Sequence, residues 1–139
     1  MIKVELERTA GDYGFTGRDA AGHELSFDST IEHGGSNSGV RPMQSLLMAL
    51  GACSAIDIVS ILKKQKQNPS VFKMYIEGER EEAKPVALWK TIHIIFEFSK
   101  EVDEEKAKKA CALSIEKYCS VAETLRRAGA EIHWNVQIN

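Results

Sequence analysis

Residues 46–62 read LLMALGACSAIDIVSIL, a run apolar enough to be buried on nearly every side if it forms one helix. Inside it stand a thiol, Cys53, and a carboxylic acid, Asp57, four residues apart and therefore on the same side of that helix. Upstream, Pro42 suits a first helical turn, where its missing amide hydrogen would be unpaired anyway. Downstream, KKQKQNPS places Lys63, Lys64 and Lys66 at the negative end of the helix dipole, and Asn68-Pro69 prevents continuation. The spacing predicts a helix over residues 42–65. With Ser45 the apolar run reaches 18 residues, near the lower limit for a membrane span. Ser54, Asp57 and Ser60 interrupt it, and an ionised aspartate in lipid is costly, so no membrane partner is expected. A helix apolar all round belongs at the centre of a fold or of an intertwined dimer.

The flanking segments read as strands and shorter helices. Lys3 to Arg8 alternates apolar and charged residues. A strand around Phe15, a turn at Asp19-Ala20-Ala21-Gly22 and a strand from Glu24 to Phe27 complete a meander. EHGGSNSGV, ending at Val40, is a glycine- and serine-rich loop. VFKMYIEGEREE (71–82) and KTIHIIFEF (90–98) alternate as two antiparallel neighbours joined by a loop containing Lys84-Pro85. The chain then turns helical from Val102 through Tyr118, forms a short helix over Val121 to Arg127, and ends in a strand from Ala130 to Ile138. This order predicts an α+β fold, with antiparallel sheets around a long buried central helix, as a single domain over residues 1–139.

Composition bounds the function. The 139 residues are 43% hydrophobic and 27% charged, with a net charge of −2 from interspersed acids and bases. That is one domain with a real core and no footprint for a nucleic acid or another polyanion. The N-terminus, MIKVELERTAGDY, has no apolar core of signal-peptide type, which places the protein in the cytoplasm. An odd count of three cysteines in a reducing compartment argues against a disulfide framework. The thiols are then redox-active, metal-binding or packed. There is no CxxC or HxxxH pair, and His23, His33, His93 and His133 are scattered, so neither a metal nor another cofactor is expected. GGSNSG lacks the lysine of a phosphate loop, and a nucleophile elbow is missing.

Local chemistry ranks the thiols in an unexpected way. On the sequence alone, burial and an ionised Asp57 would both disfavour a thiolate at Cys53, and the helix dipole fades well before reaching it from Pro42. A reactive Cys53 needs a cation from elsewhere, most naturally an arginine, which stays charged in a partly dry site; otherwise it is a small core residue. Cys119 lies in EKYCSVAETLRR, where Ser120 and Glu123 have the spacing of a capping box. Cys119 would then sit just before a helix N-terminus, whose free amides favour a thiolate, and it becomes the more acidic thiol. The competing reading makes it a buried link between two helices. Cys111, in KKACALSIEKYC, reads as core.

Two segments, GVRPMQSLLMALGACSAIDIVSILKK and KYCSVAETL, together resemble the OsmC/Ohr family of thiol-dependent peroxidases. The resemblance implies an intertwined homodimer with shared active sites at the subunit interface. It also implies that Cys53 attacks an organic hydroperoxide, becomes a sulfenic acid and is resolved by Cys119 as an intramolecular disulfide, which an external dithiol of lipoyl type reduces. The family completes its site with an arginine from the N-terminal strands, for which Arg18 in FTGRDAAG is the best match and Arg41 the second. Many members orient that arginine with a glutamate directly after the helix proline. Here that position is Met43, followed by Gln44, which cannot supply the charge. These two residues would make the mouth of the substrate pocket more apolar. The departure points to the OsmC-like branch rather than a typical organic hydroperoxide resistance protein. It also motivates an alternative: a non-enzymatic module that binds an apolar small molecule in the interface pocket.

Overall fold

The computed structural model describes residues 1–82 and 84–139. In chain order they form β1 (Val4–Ala10), β2 (Gly14–Asp19), β3 (Glu24–Phe27), α1 (Pro42–Lys64), β4 (Phe72–Arg80), β5 (Trp89–Phe98), α2 (Glu104–Leu113), a π-helical turn (Ser114–Tyr118), α3 (Ser120–Arg127) and β6 (Glu131–Ile138). The residues group into two compact units, Met1–Leu46 and Leu47–Asn139, and the chain passes from one to the other within α1.

The first unit is the expected meander, ordered β1-β2-β3 and antiparallel throughout. Gly14 is required where β2 begins, because a Cβ there would collide with the carbonyl of Ala10. Asp28 follows β3 and is 2% exposed. Its carboxylate accepts from the amides of Ser29, Ser36 and Ser38 and, at 2.7 Å, from the Ser38 hydroxyl. The Ser38 hydroxyl bond is the largest cause of a pKa held down to about 2. The glycine- and serine-rich loop is therefore closed around an internal anion, and it leads directly to the start of α1.

The second unit is built on a sheet ordered β4-β5-β6. β4 and β5 are antiparallel as expected, but β6 runs parallel to β5, so this sheet is mixed. The reason is the connection: three successive helical segments carry the chain back to the end where β5 began, and such a crossover joins parallel strands. Alternation then assigns the faces. Ile92, Ile94, Phe96 and Phe98 of β5 are fully buried, aligned with Phe72, Met74 and Ile76 on one side and Ile132, Trp134, Val136 and Ile138 on the other.

The helix expected over residues 102–118 is interrupted. It starts at Asp103, whose side chain caps it by accepting from the amide of Lys106 at 2.9 Å. At Ser114 the ladder widens, so that the amide of Cys119 donates to the carbonyl of Ser114 at 2.7 Å, five residues back. Helix α1 buries a single stripe within one chain, Leu50, Gly51, Ser54, Ile58 and Leu62. Its other side leaves Met48 52% and Ile56 70% exposed, so burial on nearly every side is not achieved by the chain alone.

The C-terminus of α1 closes before Asn68-Pro69 is reached. The amide of Gln67 donates to the carbonyl of Leu62 and that of Lys66 to Lys63, with Lys66 at φ 59°. This is a Schellman motif whose left-handed position is occupied by a lysine instead of glycine. Lys66→Gly removes the Cβ clash of that conformation and should stabilise the protein by up to about 1 kcal/mol in urea unfolding. A loss of stability would show that Lys66 contributes more than its backbone strain costs.

Candidate active site

Cys53 and Cys119 are neighbours close enough for each side chain to influence the other, although they stand 66 positions apart in sequence. Cys53 lies at the middle of α1 and is half-buried, whereas Cys119 is 2% exposed. Their approach depends on Ser114, which is fully buried at the start of the π-helical turn. Its hydroxyl shares one proton between the carbonyl of Ser54, at 3.1 Å, and Oδ2 of Asp57, at 3.2 Å. That contact ties the turn to the helix carrying Cys53. Asp57 is thus occupied by a buried hydroxyl one helical turn beyond the thiol. It also lines a cavity of about 420 Å³ with Ile61, Lys64, Gln65, Lys109, Leu113 and Tyr118.

The local ranking of the thiols is corrected by burial. Cys119 is itself the N-cap of α3, its Sγ accepting from the amide of Ala122 at 3.4 Å. Ser120 is therefore the first helical residue and not the cap. Glu123 does not close a capping box but pairs with Arg126 and Arg127 at 3.4 and 2.9 Å. Desolvation is the largest influence on Cys119 and pushes its pKa up to about 11, despite the opposing bond from Ala122. Cys111 is fully buried and pushed up to about 12 by desolvation alone, which makes it the inert core residue its sequence suggests. Exposure therefore singles out Cys53 as the thiol of the pair that is open to solvent.

Both candidate arginines lie in the first unit. Arg18 sits in a cross-strand row between Glu5 and Glu24. Its Nε donates to Oε2 of Glu24 at 2.6 Å, and Nη1 lies 3.5 Å from Glu7 and 3.9 Å from Glu5. Glu24, first by hydrogen bond and then by charge, raises its pKa further. Arg18 borders a recess of about 370 Å³ whose apolar lining includes Val4, Leu6, Leu25 and Phe27. Arg41 has neutral partners instead, donating to the carbonyl of Gly39 at 2.8 Å and to Oδ1 of Asn37 at 2.6 Å. It borders a second recess, about 440 Å³, with Leu6, Phe15, Phe27 and Pro42.

The first turn of α1 carries no acid, and among the described residues Met43 and Gln44 line neither recess. The carboxylates around Arg18 were missed by sequence reasoning. The alternation of Glu5 and Glu7 along β1, opposite Arg18 on β2, was the available signal, but it needed the strand register to be read.

The fold and its paired thiols define an α+β dithiol protein whose two sulfurs come from a long helix and from the cap of a short one. Residues 35–135 match the sequence profile of the family described as OsmC-like protein. Protein YhfA of Escherichia coli (strain K12) is 38% identical over 118 residues, covering 82% of this chain and 82% of that protein. The crystal structure of a hypothetical protein from Aquifex aeolicus VF5 is 31% identical, covers 100% of this chain and 98% of that one, and superposes with a TM-score of 0.80. An organic hydroperoxide resistance protein OsmC from Legionella pneumophila shares the fold at 15% identity, with a TM-score of 0.72 and 99% and 96% of the two chains covered. The chain belongs to the OsmC-like protein family.

The environment of Cys119 makes a direct prediction. In a Cys53→Ser, Cys111→Ser protein, thiolate absorbance near 240 nm should stay low through neutral pH and rise only as pH climbs past about 10. A plateau reached below pH 9 would mean that the helix N-terminus, not burial, sets this thiol.

Proposed function

We propose that the protein is a thiol-dependent peroxidase that reduces organic hydroperoxides and serves in the response to oxidative stress. The observation that carries this reading is that Cys53 and Cys119 are neighbours. It is supported by membership of a family whose fold is shared by a protein named for organic hydroperoxide resistance. The Cys53 thiolate attacks the terminal oxygen of the hydroperoxide and the O–O bond breaks. The departing alkoxide takes the proton released by Cys53 and leaves as an alcohol. Cys119 then attacks the sulfenic sulfur, its proton leaves with the hydroxide as water, and a Cys53–Cys119 disulfide remains. An external dithiol of lipoyl type returns two electrons and two protons by thiol–disulfide exchange.

Activation of Cys53 requires a cation, supplied in this reading by Arg18 or Arg41 in a homodimer with shared active sites. The apolar surface exposed in one chain supports the dimer: Val4, Leu6 and Leu25 on the meander, and Met48, Ile56 and Val59 on α1, are 39 to 70% exposed. The apolar recess beside Arg18 suits the hydrocarbon tail of a hydroperoxide. Arg18 has carboxylate partners on its own sheet, a supply of negative charge that does not need a glutamate at position 43.

A second reading is favoured by Met43 itself. A non-enzymatic module would hold an apolar small molecule or acyl chain in one of the recesses, with the thiols as passive core residues. Stoichiometric cumene hydroperoxide separates the two. The peroxidase gives a chain two hydrogens lighter with Cys53 and Cys119 joined, and Cys53→Ser gives no such product. An unchanged mass, with a lipid retained in native mass spectrometry, favours the binding module. In the same assay the essential arginine is the one whose replacement by alanine abolishes rapid oxidation.

A further inference from the structure

The cavity beside Asp57 is not used by the thiol chemistry, and its walls carry positive charge that the protein does not neutralise. It lies within the second unit and holds about 420 Å³. Lys64, the last residue of α1, and Lys109, from α2, line it from two different helices. Among the described residues neither lysine is in an ion pair, whereas Lys108, next to Lys109, lies 3.7 Å from Glu105. The terminal carbonyls of α1 favour a cation at Lys64, but Lys109 stands inside α2 and gains nothing from a helix end. Lys117 adds to the positive potential, its Nζ 5.3 Å from the centre of the Tyr118 ring that borders the cavity. Asp57 is the acid of the lining, and its Oδ2 is already committed to Ser114. Gln65 supplies the second unusual feature: its Oε1 is buried and, among the described residues, accepts no hydrogen bond. Buried acceptors are nearly always paired, so this one calls for a donor. Ile61 and Leu113 complete the wall with apolar surface.

We propose that this cavity binds a small phosphate monoester that carries hydroxyl groups, such as a phosphorylated polyol. A phosphate monoester is close to a dianion at neutral pH, and two ammonium groups held on separate helices match that charge. Lysine suits the task as a compact charge on a flexible stem, able to follow a ligand into the cavity. Cavities of about 300–1,000 Å³ take whole small molecules, so a phosphate group alone leaves most of this one unfilled. The hydroxyl groups donate to the Asp57 oxygen that Ser114 leaves open and, as the Gln65 side chain turns, to its Oε1. The carbon skeleton lies against Ile61 and Leu113. An apolar ligand would strip water from both lysines without pairing them, and it would leave the Gln65 oxygen without a donor. A hydroxylated anion meets the lysines and the open acceptors together.

Titration of the reduced full-length protein with sorbitol 6-phosphate in about 0.1 M sodium chloride, followed by amide NMR, tests the proposal without relying on enzymatic activity. Saturable shifts should centre on residues 57–65 and 109–118, which hold the lining. Lys64→Ala or Lys109→Ala should each weaken binding roughly tenfold or more. Lys63→Ala removes a neighbouring charge outside the lining and should change it by less than about twofold. Sorbitol should not bind, and inorganic phosphate should bind at least roughly tenfold more weakly than the ester. Shifts that are absent, that centre elsewhere or that persist unchanged in the Lys64 and Lys109 variants would overturn the proposal. So would inorganic phosphate binding as tightly as the ester. The readout is positional, so failure here leaves the thiol chemistry untouched, and failure of the peroxidase reading leaves this site standing.

Discussion

One buried hydroxyl ties together the two segments that carry the paired thiols. Ser114 has no contact with solvent, and its proton is shared between the backbone of α1 and the carboxylate of Asp57. A hydrogen bond of this kind contributes only about 0.5–1.5 kcal/mol to net stability, but leaving such a group unpaired in the interior costs more than the bond returns. The serine therefore fixes where the π-helical turn meets the long helix. From there only four residues lie before Cys119, so the position of that thiol near Cys53 follows. A carboxylate one turn from a thiol looked, on charge alone, like a reason for Cys53 to be inert. Its bond to Ser114 gives it another task.

The same junction sets the character of Cys119. As the cap of α3 it accepts an amide hydrogen, which favours a thiolate, yet it is so fully desolvated that the neutral thiol prevails. A thiol with those properties is slow to meet solvent oxidants, and it must lose its proton before it attacks a sulfur beside it. Cys53, half-exposed on α1, has the complementary access. The two neighbouring sulfurs thus differ in environment, the asymmetry on which the proposed division between a peroxide-reacting and a resolving cysteine rests.

Much of this was legible in the sequence. The long helix announced itself through an apolar run, interrupted at Ser54, Asp57 and Ser60, that lies between Pro42 and Asn68-Pro69, and the strands of the second unit through alternation that survives in their burial. What could not be read were features created by non-local pairing. The parallel docking of β6 depends on where three helical segments return the chain, and the stacking of His93 on His133 depends on that docking. The break at Ser114 has no local signature, because SIEKY is as compatible with an ordinary helix as with a widened turn. Cys119 was ranked too acidic because a capping position is visible in sequence while desolvation is not. The sequence offers Arg18 and Arg41 as alternatives, and only the register across β1, β2 and β3 reveals that Arg18 is the one surrounded by carboxylates.

The most direct test of the junction separates oxidation of Cys53 from closure of the disulfide. In rapid mixing with a hydroperoxide, Ser114→Ala should form the Cys53 sulfenic acid at the wild-type rate and then close to the Cys53–Cys119 disulfide roughly tenfold to a hundredfold more slowly. Closure at the wild-type rate would contradict the account, because the two cysteines would then be held together by something other than the Ser114 contact with Ser54 and Asp57.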